Sequence, residues 1–272
     1  MLTASDLTNL QELAGRMADA AGVRALAHFR ASRLTADNKA GSGEFDPVTA
    51  ADREAEGAMR DILAAERPDD GILGEEHGSS TGTSGLTWVL DPIDGTRAYI
   101  SGLPTWGVLI GLDDGDEGRI GIVDQPFTGE RFVGINDGDA GRAFLEHKGT
   151  RSPISTRPCA QLADATLMTT DTAIFDAGEA VAFNTVSKAA KLTRYGMDCY
   201  AYAMVALGQI DLVIETALEA YDIAAPAALV RAAGGRVTNW KGGDCRWGGQ
   251  VIAAGDARIH QAALDMLAEA AA

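Results

Sequence analysis

Two aspartates three residues apart carry the first hint of chemistry. The segment Trp88-Val-Leu-Asp91-Pro-Ile-Asp94-Gly-Thr96 puts Asp91 and Asp94 at the end of a short apolar run, on either side of a proline. Strand ends are where layered α/β proteins present ligands, and carboxylate oxygens are the donors that a hard divalent cation such as Mg2+ takes. Gly95 and Thr96 lead into an expected helix, whose first amides have no intrahelical acceptor and suit an anion. One short segment thus offers metal ligands beside a phosphate cradle. An Asx-turn closing on a helix cap would use the same residue types.

Further acids sit at comparable places. Leu73-Gly-Glu75-Glu76-His77 puts Glu75 at the end of another apolar run, and Asp46-Pro-Val-Thr49-Ala-Ala-Asp52 puts Asp52 in a first helical turn. Tyr221-Asp222-Ile-Ala-Ala-Pro226 puts Asp222 at a further helix start, with Pro226 in or near the first turn, where proline is tolerated. Taken singly, Asp52 and Asp222 read more readily as capping carboxylates and Glu75 as a solvated loop acid. Their joint occurrence with the double-aspartate segment is harder to explain that way.

Other routes to the same chemistry are missing from the sequence. No cysteine is followed by an arginine six positions on, so a phosphocysteine route has no support, and no Asp-x-Asp-x-Thr or Asp-x-Asp-x-Val segment exists for an aspartyl phosphate. There is no Walker A sequence. The four histidines stand apart from one another, and His77 reads as a solvated loop residue.

The elements that must hold these acids can be read from periodicity. Apolar residues at Leu7, Leu10, Leu13, Met17 and Ala21 repeat at helical spacing, predicting a helix from Thr3 to about Phe29, with Gly22 a place for a bend. A Gly-containing stretch, 38–44, reads as a loop and carries Lys39; a second helix follows from Thr49 to about Glu66. Strands are expected at Gly71–Gly74, Leu86–Leu90, Thr105–Leu112, Arg119–Val123 and Glu130–Ile135, with Asp-Gly pairs at 114–115 and 137–138 as hairpin turns. From about residue 150 the pattern alternates. Strands are expected near 165–169, 210–215, 236–238 and 251–254, and helices near 177–190, 199–207, 222–233 and 256–270. The expected fold class is layered α/β (α+β), with an antiparallel sheet in an N-terminal unit, 1–149, and mixed α/β in a C-terminal unit, 150–272, the switch falling at Gly149.

Composition narrows the partners. The chain has 272 residues, 46% hydrophobic and 23% charged, and a formal net charge of −16. That balance argues against nucleic acid and against an anionic membrane surface, both of which need excess Lys and Arg. A phosphorylated substrate stays compatible if a metal supplies positive charge locally; Lys39 and Arg97 are the cations near the motifs. Three scattered cysteines, no secretory-type apolar segment at the N-terminus and no apolar run of about 18 residues lead to the expectation of a cytoplasmic protein.

The motifs, in this order and with Ala233-Gly-Gly235 after them, resemble those of the inositol monophosphatase superfamily of metal-dependent, lithium-sensitive phosphatases, across nearly the whole chain. Tyr221 stands where that family more often has Trp. The resemblance implies a sugar-phosphatase-type αβαβα sandwich and two or three Mg2+ ions per site, with Li+ inhibitory. It implies that Glu75, Asp91 and the Ile93 carbonyl hold one ion, that Asp91, Asp94 and Asp222 hold a second, and that Glu75 shares a third. Asp52 and Thr96 would polarise the attacking water, and the Gly95 and Thr96 amides would bind phosphate. A homodimer acting on a small phosphorylated metabolite is implied as well.

Residues 94–110 and 198–215 are similar to the histidinol-phosphate phosphatase branch. Histidinol phosphate carries an ammonium and a protonatable imidazole, so its pocket should present carboxylates. Asp198 at a helix start and Glu215 at a strand end are the expected substrate-side acids, alongside Arg97 and Asp222. A plain N-cap describes Asp198 equally well, and inositol hydroxyls could use Glu215, which leaves inositol-1-phosphatase or a broad phosphatase as the alternative. A catalytically silent metal-binding scaffold is the reading from another class, and the intact acids speak against it.

Overall fold

Thr3 and Asp6 form a reciprocal capping box that starts α1 (Ala4–His28), whose stripe Leu7, Leu10, Ala14, Met17 and Ala21 is buried. The computed structural model describes residues 2–31, 37–38, 47–138 and 140–272, with only the backbone course of 37–38 and 47–48. Lys39 and Asp46 therefore lie outside the described residues. A short antiparallel pairing of β1 (Asp37–Asn38) and β2 (Pro47–Val48) precedes α2 (Ala50–Glu66), started by a second capping box between Thr49 and Asp52.

An eight-stranded sheet follows. Its strands are β3 (Gly71–Gly74), β4 (Gly78–Ser80), β5 (Thr87–Asp94), β6 (Gly107–Asp113), β7 (Gly118–Gln125), β8 (Glu130–Asn136), β9 (Gly141–His147) and β10 (Thr150–Pro153), with α3 (Thr96–Ile100) between β5 and β6. The spatial order is β10-β9-β8-β7-β6-β5-β3-β4, and only β3 and β5 run parallel. A five-stranded mixed sheet completes the chain: β11 (Thr166–Thr169), α4 (Ala177–Ala189), β12 (Leu192–Tyr195), α5 (Asp198–Ala206), β13 (Leu212–Leu218), α6 (Ala220–Ala232), β14 (Arg236–Thr238), β15 (Gly249–Ala254) and α7 (Ala257–Leu267), ordered β12-β11-β13-β15-β14.

Strand periodicity makes the layers. Val108, Ile110 and Leu112 on β6 join Met17 and Met59 in a core beneath α1 and α2, whereas Leu109 on the same strand joins Tyr202, Ile223 and Leu229 on the other side. On β13, Val213 faces that middle core, while Leu212 and Ile214 join Phe183 and Ile259 in a third core with α4 and α7. Helices, sheet, helices, sheet, helices is the expected αβαβα sandwich, and three cores hold it. Among the described residues no helix is long and apolar enough to cross a membrane.

Gly149, the expected boundary between units, lies in the turn between β9 and β10, and the first sheet runs on to Pro153. β9 and β10 escaped the strand reading because charged and exposed residues interrupt their alternation. Likewise α6 starts at Ala220, which moves Pro226 beyond the first turn into the helix body. There Pro226 offers no amide to the Asp222 carbonyl four residues back.

The seating of α6 rests on missing side chains. Gly111, Gly121 and Gly134 are register partners on β6, β7 and β8, forming a row across the sheet. A Cβ on Gly121 would overlap the Ala225 carbonyl and lie 2.9 Å from the Ala228 Cβ, and one on Gly134 would lie 2.5 Å from the Leu229 Cα. The row lets the helix backbone settle directly on the sheet backbone, and that sets the height of Asp222 above β5.

Candidate active site

A bulge brings the first two carboxylates together. Asp91 pairs with Leu109 and Asp94 with Gly107, so three steps along β5 match two along β6. The extra residue turns both aspartates to one side of the sheet, where strict alternation would have sent them to opposite faces. Asp91 is locked by the Ile93 amide, which donates to its Oδ1 at 3.0 Å. Beside it, β3 runs parallel with Gly74 opposite Leu90, and the Glu75 amide donates to the Leu90 carbonyl at 3.2 Å, so Glu75 stands next to Asp91.

Asp222 enters from the first turn of α6, its Oδ2 accepting the Glu219 amide at 2.7 Å. Oxygens of Asp91, Asp94 and Asp222 all lie within 4.8 Å of one another. The Cys199 amide, in the first turn of α5, donates to Asp94 Oδ2 at 2.7 Å. Burial, then Glu75, Asp94 and Asp222, holds the Asp91 carboxyl well above the ordinary carboxylate range. Burial, then Asp198 and Asp222, does the same to Asp94, and burial above all pushes Asp222 up to about 7. Crowded, desolvated hard-oxygen donors that repel one another are a donor set that fits a divalent cation. The Ile93 carbonyl, expected as a further donor, accepts the Thr96 hydroxyl at 3.1 Å.

The second wall comes from the C-terminal half. A cavity of about 190 Å³ is lined by Asp94, Asp198, Glu215, Asp222, Thr170 and Tyr202, among others. Asp198 has φ +46°, in the left-handed region. Its carboxyl is pushed up to about 6 by burial and by Glu215, and Thr105 reaches it at 3.5 Å. Gly95, itself at φ +78°, makes room: a Cβ there would lie 2.9 Å from the Asp198 Cγ. Arg97 is exposed and lowers the Asp198 carboxyl electrostatically. Glu215 is buried and already has three donors, the Thr170 amide at 2.9 Å, the Thr170 hydroxyl at 2.5 Å and the Tyr202 hydroxyl at 2.8 Å.

Asp52 is buried near the start of α2, its Oδ2 accepting from the Thr49 amide at 2.8 Å and hydroxyl at 2.6 Å. Thr96 donates to the Ile93 carbonyl in this arrangement, so the expected Asp52–Thr96 pair is not the bond its hydroxyl makes. Thr170, Tyr202 and Thr105 were not singled out in the sequence, and neither was Glu56. Its fully buried carboxylate accepts the Glu76 and His77 amides at 2.7 and 3.2 Å. The one local signal for Glu56 is its position a helical turn after Asp52.

Comparison with known proteins places the chain by family and by fold. The model of the inositol monophosphatase family matches residues 6–272. A chloroplastic bifunctional phosphatase of Arabidopsis thaliana, IMPL2, is 37% identical over 98% of this chain and 77% of its own. A histidinol-phosphatase of Streptomyces coelicolor is 35% identical over 94% of this chain and 95% of its own. Among solved structures, an inositol monophosphatase from Zymomonas mobilis superposes with a TM-score of 0.83 at 40% identity, covering 98% of this chain and 100% of that one.

Proposed function

The chain belongs to the inositol monophosphatase family of metal-dependent phosphomonoester hydrolases, and from that premise we propose that it hydrolyses L-histidinol phosphate to L-histidinol and phosphate. Asp198 is the observation that carries the choice of substrate. A non-glycine residue in the left-handed region costs about 1 kcal/mol, and glycine would take that conformation freely. What the aspartate adds is a carboxylate in the cavity beside Asp94. The ammonium and imidazole of histidinol complement it in charge as well as in hydrogen bonding, whereas a neutral polyol brings hydroxyl donors but no charge. Glu215, with its three donors, supports this wall by fixing Thr170 and Tyr202.

Mg2+ ions held by Glu75, Asp91, the Ile93 carbonyl, Asp94 and Asp222 supply, when bound, the charge that activates a water and stabilises the leaving oxygen. The Gly95 and Thr96 amides face the phosphate, Asp52 and Thr96 orient the water, and Arg97 stands at the rim. Mg2+ as the ion, Li+ as an inhibitor and a homodimer, taken from the family resemblance, and a cytoplasmic location, taken from the cysteine usage and the N-terminal segment, complete this reading.

Phosphate release with Mg2+ from histidinol phosphate, inositol-1-phosphate, fructose-1,6-bisphosphate, NADP and 3′-phosphoadenosine-5′-phosphate tests the substrate. A kcat/KM for histidinol phosphate about 100-fold above the others, about 2.7 kcal/mol of discrimination, is expected. A flat panel, or inositol-1-phosphate on top, overturns it. Inositol-1-phosphate is the second reading, carried by the likeness to the Zymomonas mobilis enzyme. Asp198→Gly is a sharper probe, because it relieves the backbone and removes the charge together. It should gain about 1 kcal/mol of stability while raising KM for histidinol phosphate about 10-fold or more. An equal rise for inositol-1-phosphate would remove Asp198 from the choice of substrate; it is not the cap of α5, since Met197 holds that position and no side chain caps the helix.

A further inference from the structure

The turn that carries Glu75 is held from outside the sheet. Glu56, one turn beyond Asp52 on α2, sends a carboxylate with no solvent exposure against the end of β3. Its Oε2 accepts the Glu76 amide at 2.7 Å, and its Oε1 accepts the His77 amide at 3.2 Å and Arg60 Nε at 2.7 Å. Arg60 also donates to the Gly78 carbonyl, and the His77 ring meets the Arg53 carbonyl at 3.1 Å. Consecutive backbone groups from Glu76 to Gly78 are thereby tied to one helix. Gly74 completes the fit, since a Cβ there would overlap the Glu56 carboxylate.

We propose that Glu56 is a positioning residue for the metal centre: by gripping the Glu76 and His77 amides it fixes the turn on which Glu75 stands beside Asp91. The inference rests on the reading of Glu75 as a metal ligand. If the carboxylate served only to balance Arg60 and stabilise α2, an i,i+4 pair on an exposed helix face would do so without desolvation. A fully buried carboxylate is expensive unless its lone pairs are used, and here two of the three bonds it accepts come from the backbone of a turn about twenty residues away. Groups that orient a metal ligand set affinity through geometry, and their loss weakens metal binding by about 10- to 100-fold. α2 would thus connect two parts of the site, carrying Asp52 in its first turn and fixing Glu75 one turn later.

Mg2+ binding to Glu56→Gln, Glu75→Gln and Met59→Ala, read by calorimetric titration and by the Mg2+-dependent rise in Tm, separates the possibilities. Met59 is fully buried on the same helix and makes none of these bonds, so it reports general destabilisation of α2. Glu56→Gln should raise the Mg2+ midpoint about 10-fold or more, with KM for the phosphate monoester within twofold at saturating Mg2+, and Met59→Ala should leave the midpoint unchanged. If Glu56→Gln does not fold, Glu56→Asp, which keeps the charge and shortens the reach, is held to the same expectation. A midpoint unmoved in Glu56→Gln but raised in Glu75→Gln overturns the role of Glu56, as does an equal rise in Met59→Ala. A midpoint unmoved in Glu75→Gln overturns the ligand reading and this inference with it.

Discussion

Asp222→Asn is expected to reduce Mg2+-dependent phosphate release about a thousandfold or more, about 4 kcal/mol of transition-state stabilisation, and to leave the metal-free protein no less stable than its parent. The two halves of that result have one cause. Asp222, Asp91 and Asp94 converge within 4.8 Å, an arrangement that a divalent cation rewards and that is repulsive without one. Asparagine keeps an oxygen for the Glu219 amide, so the start of α6 survives. It removes one charge from the cluster and weakens the hold on the cation.

The metal-free protein should show the repulsion as a pH dependence. A carboxyl whose folded pKa lies above its unfolded value binds more protons folded than unfolded between the two, so stability falls as pH rises through that window. Asp222, pushed up to about 7 chiefly by burial, acts from about pH 4 to about pH 7. Thermal melts in EDTA across that range should fall for the parent and fall less for Asp222→Asn, whereas melts in Mg2+ should reverse the order. Near-parental turnover in the variant would remove Asp222, and the ligand set with it, from the site.

The second large effect needs no charge. Gly121→Val is expected to destabilise the protein by about 3 kcal/mol or more and to lower turnover in whatever folds. The new side chain meets the Ala225 carbonyl and the Ala228 Cβ, both parts of the body of α6 and not the free end of a flexible side chain. Only lifting the helix relieves the overlap. A shift of about 1 Å at Asp222 is enough to cost about 100-fold in rate. Gly57→Ala is the control: Gly57 lies within α2, and a Cβ there meets nothing within 4 Å. It should gain about 0.5–1 kcal/mol from helix propensity and leave turnover alone. Unchanged melting of Gly121→Val would mean that α6 can move without consequence.

What the sequence disclosed follows from how local each signal is. Thr3 with Asp6 and Thr49 with Asp52 cap their own helices, and both starts were legible to within a residue. The acids of the site were legible as residue types, because strand ends and helix starts announce themselves within a few positions. Their convergence was not. It depends on a bulge between Asp91 and Asp94, on β3 lying parallel to β5, and on a glycine row that becomes meaningful only once three strands are in register. Glu56 read as one more helix carboxylate because the amides it holds belong to Glu76 and His77. Asp198 could be placed at a helix start, but its left-handed backbone and the space left by Gly95 belong to the folded chain. β9, β10 and β12 carry too many exposed or charged residues for alternation to reveal them.

The bare strip of backbone under α6 also dictates an order of assembly. During synthesis β6, β7 and β8 emerge long before residues 220–232, and domains begin to fold from the N-terminus as they appear. Until α6 arrives, the row of Leu109, Val123 and Phe132 and the glycine strip beside it form an uncovered apolar face, the kind of surface that nascent-chain chaperones hold. Asp91 and Asp94 are then present without Asp222. On the ligand set proposed above, an unfinished chain lacks the third carboxylate of the cluster, so that tight cation binding should await the docking of α6.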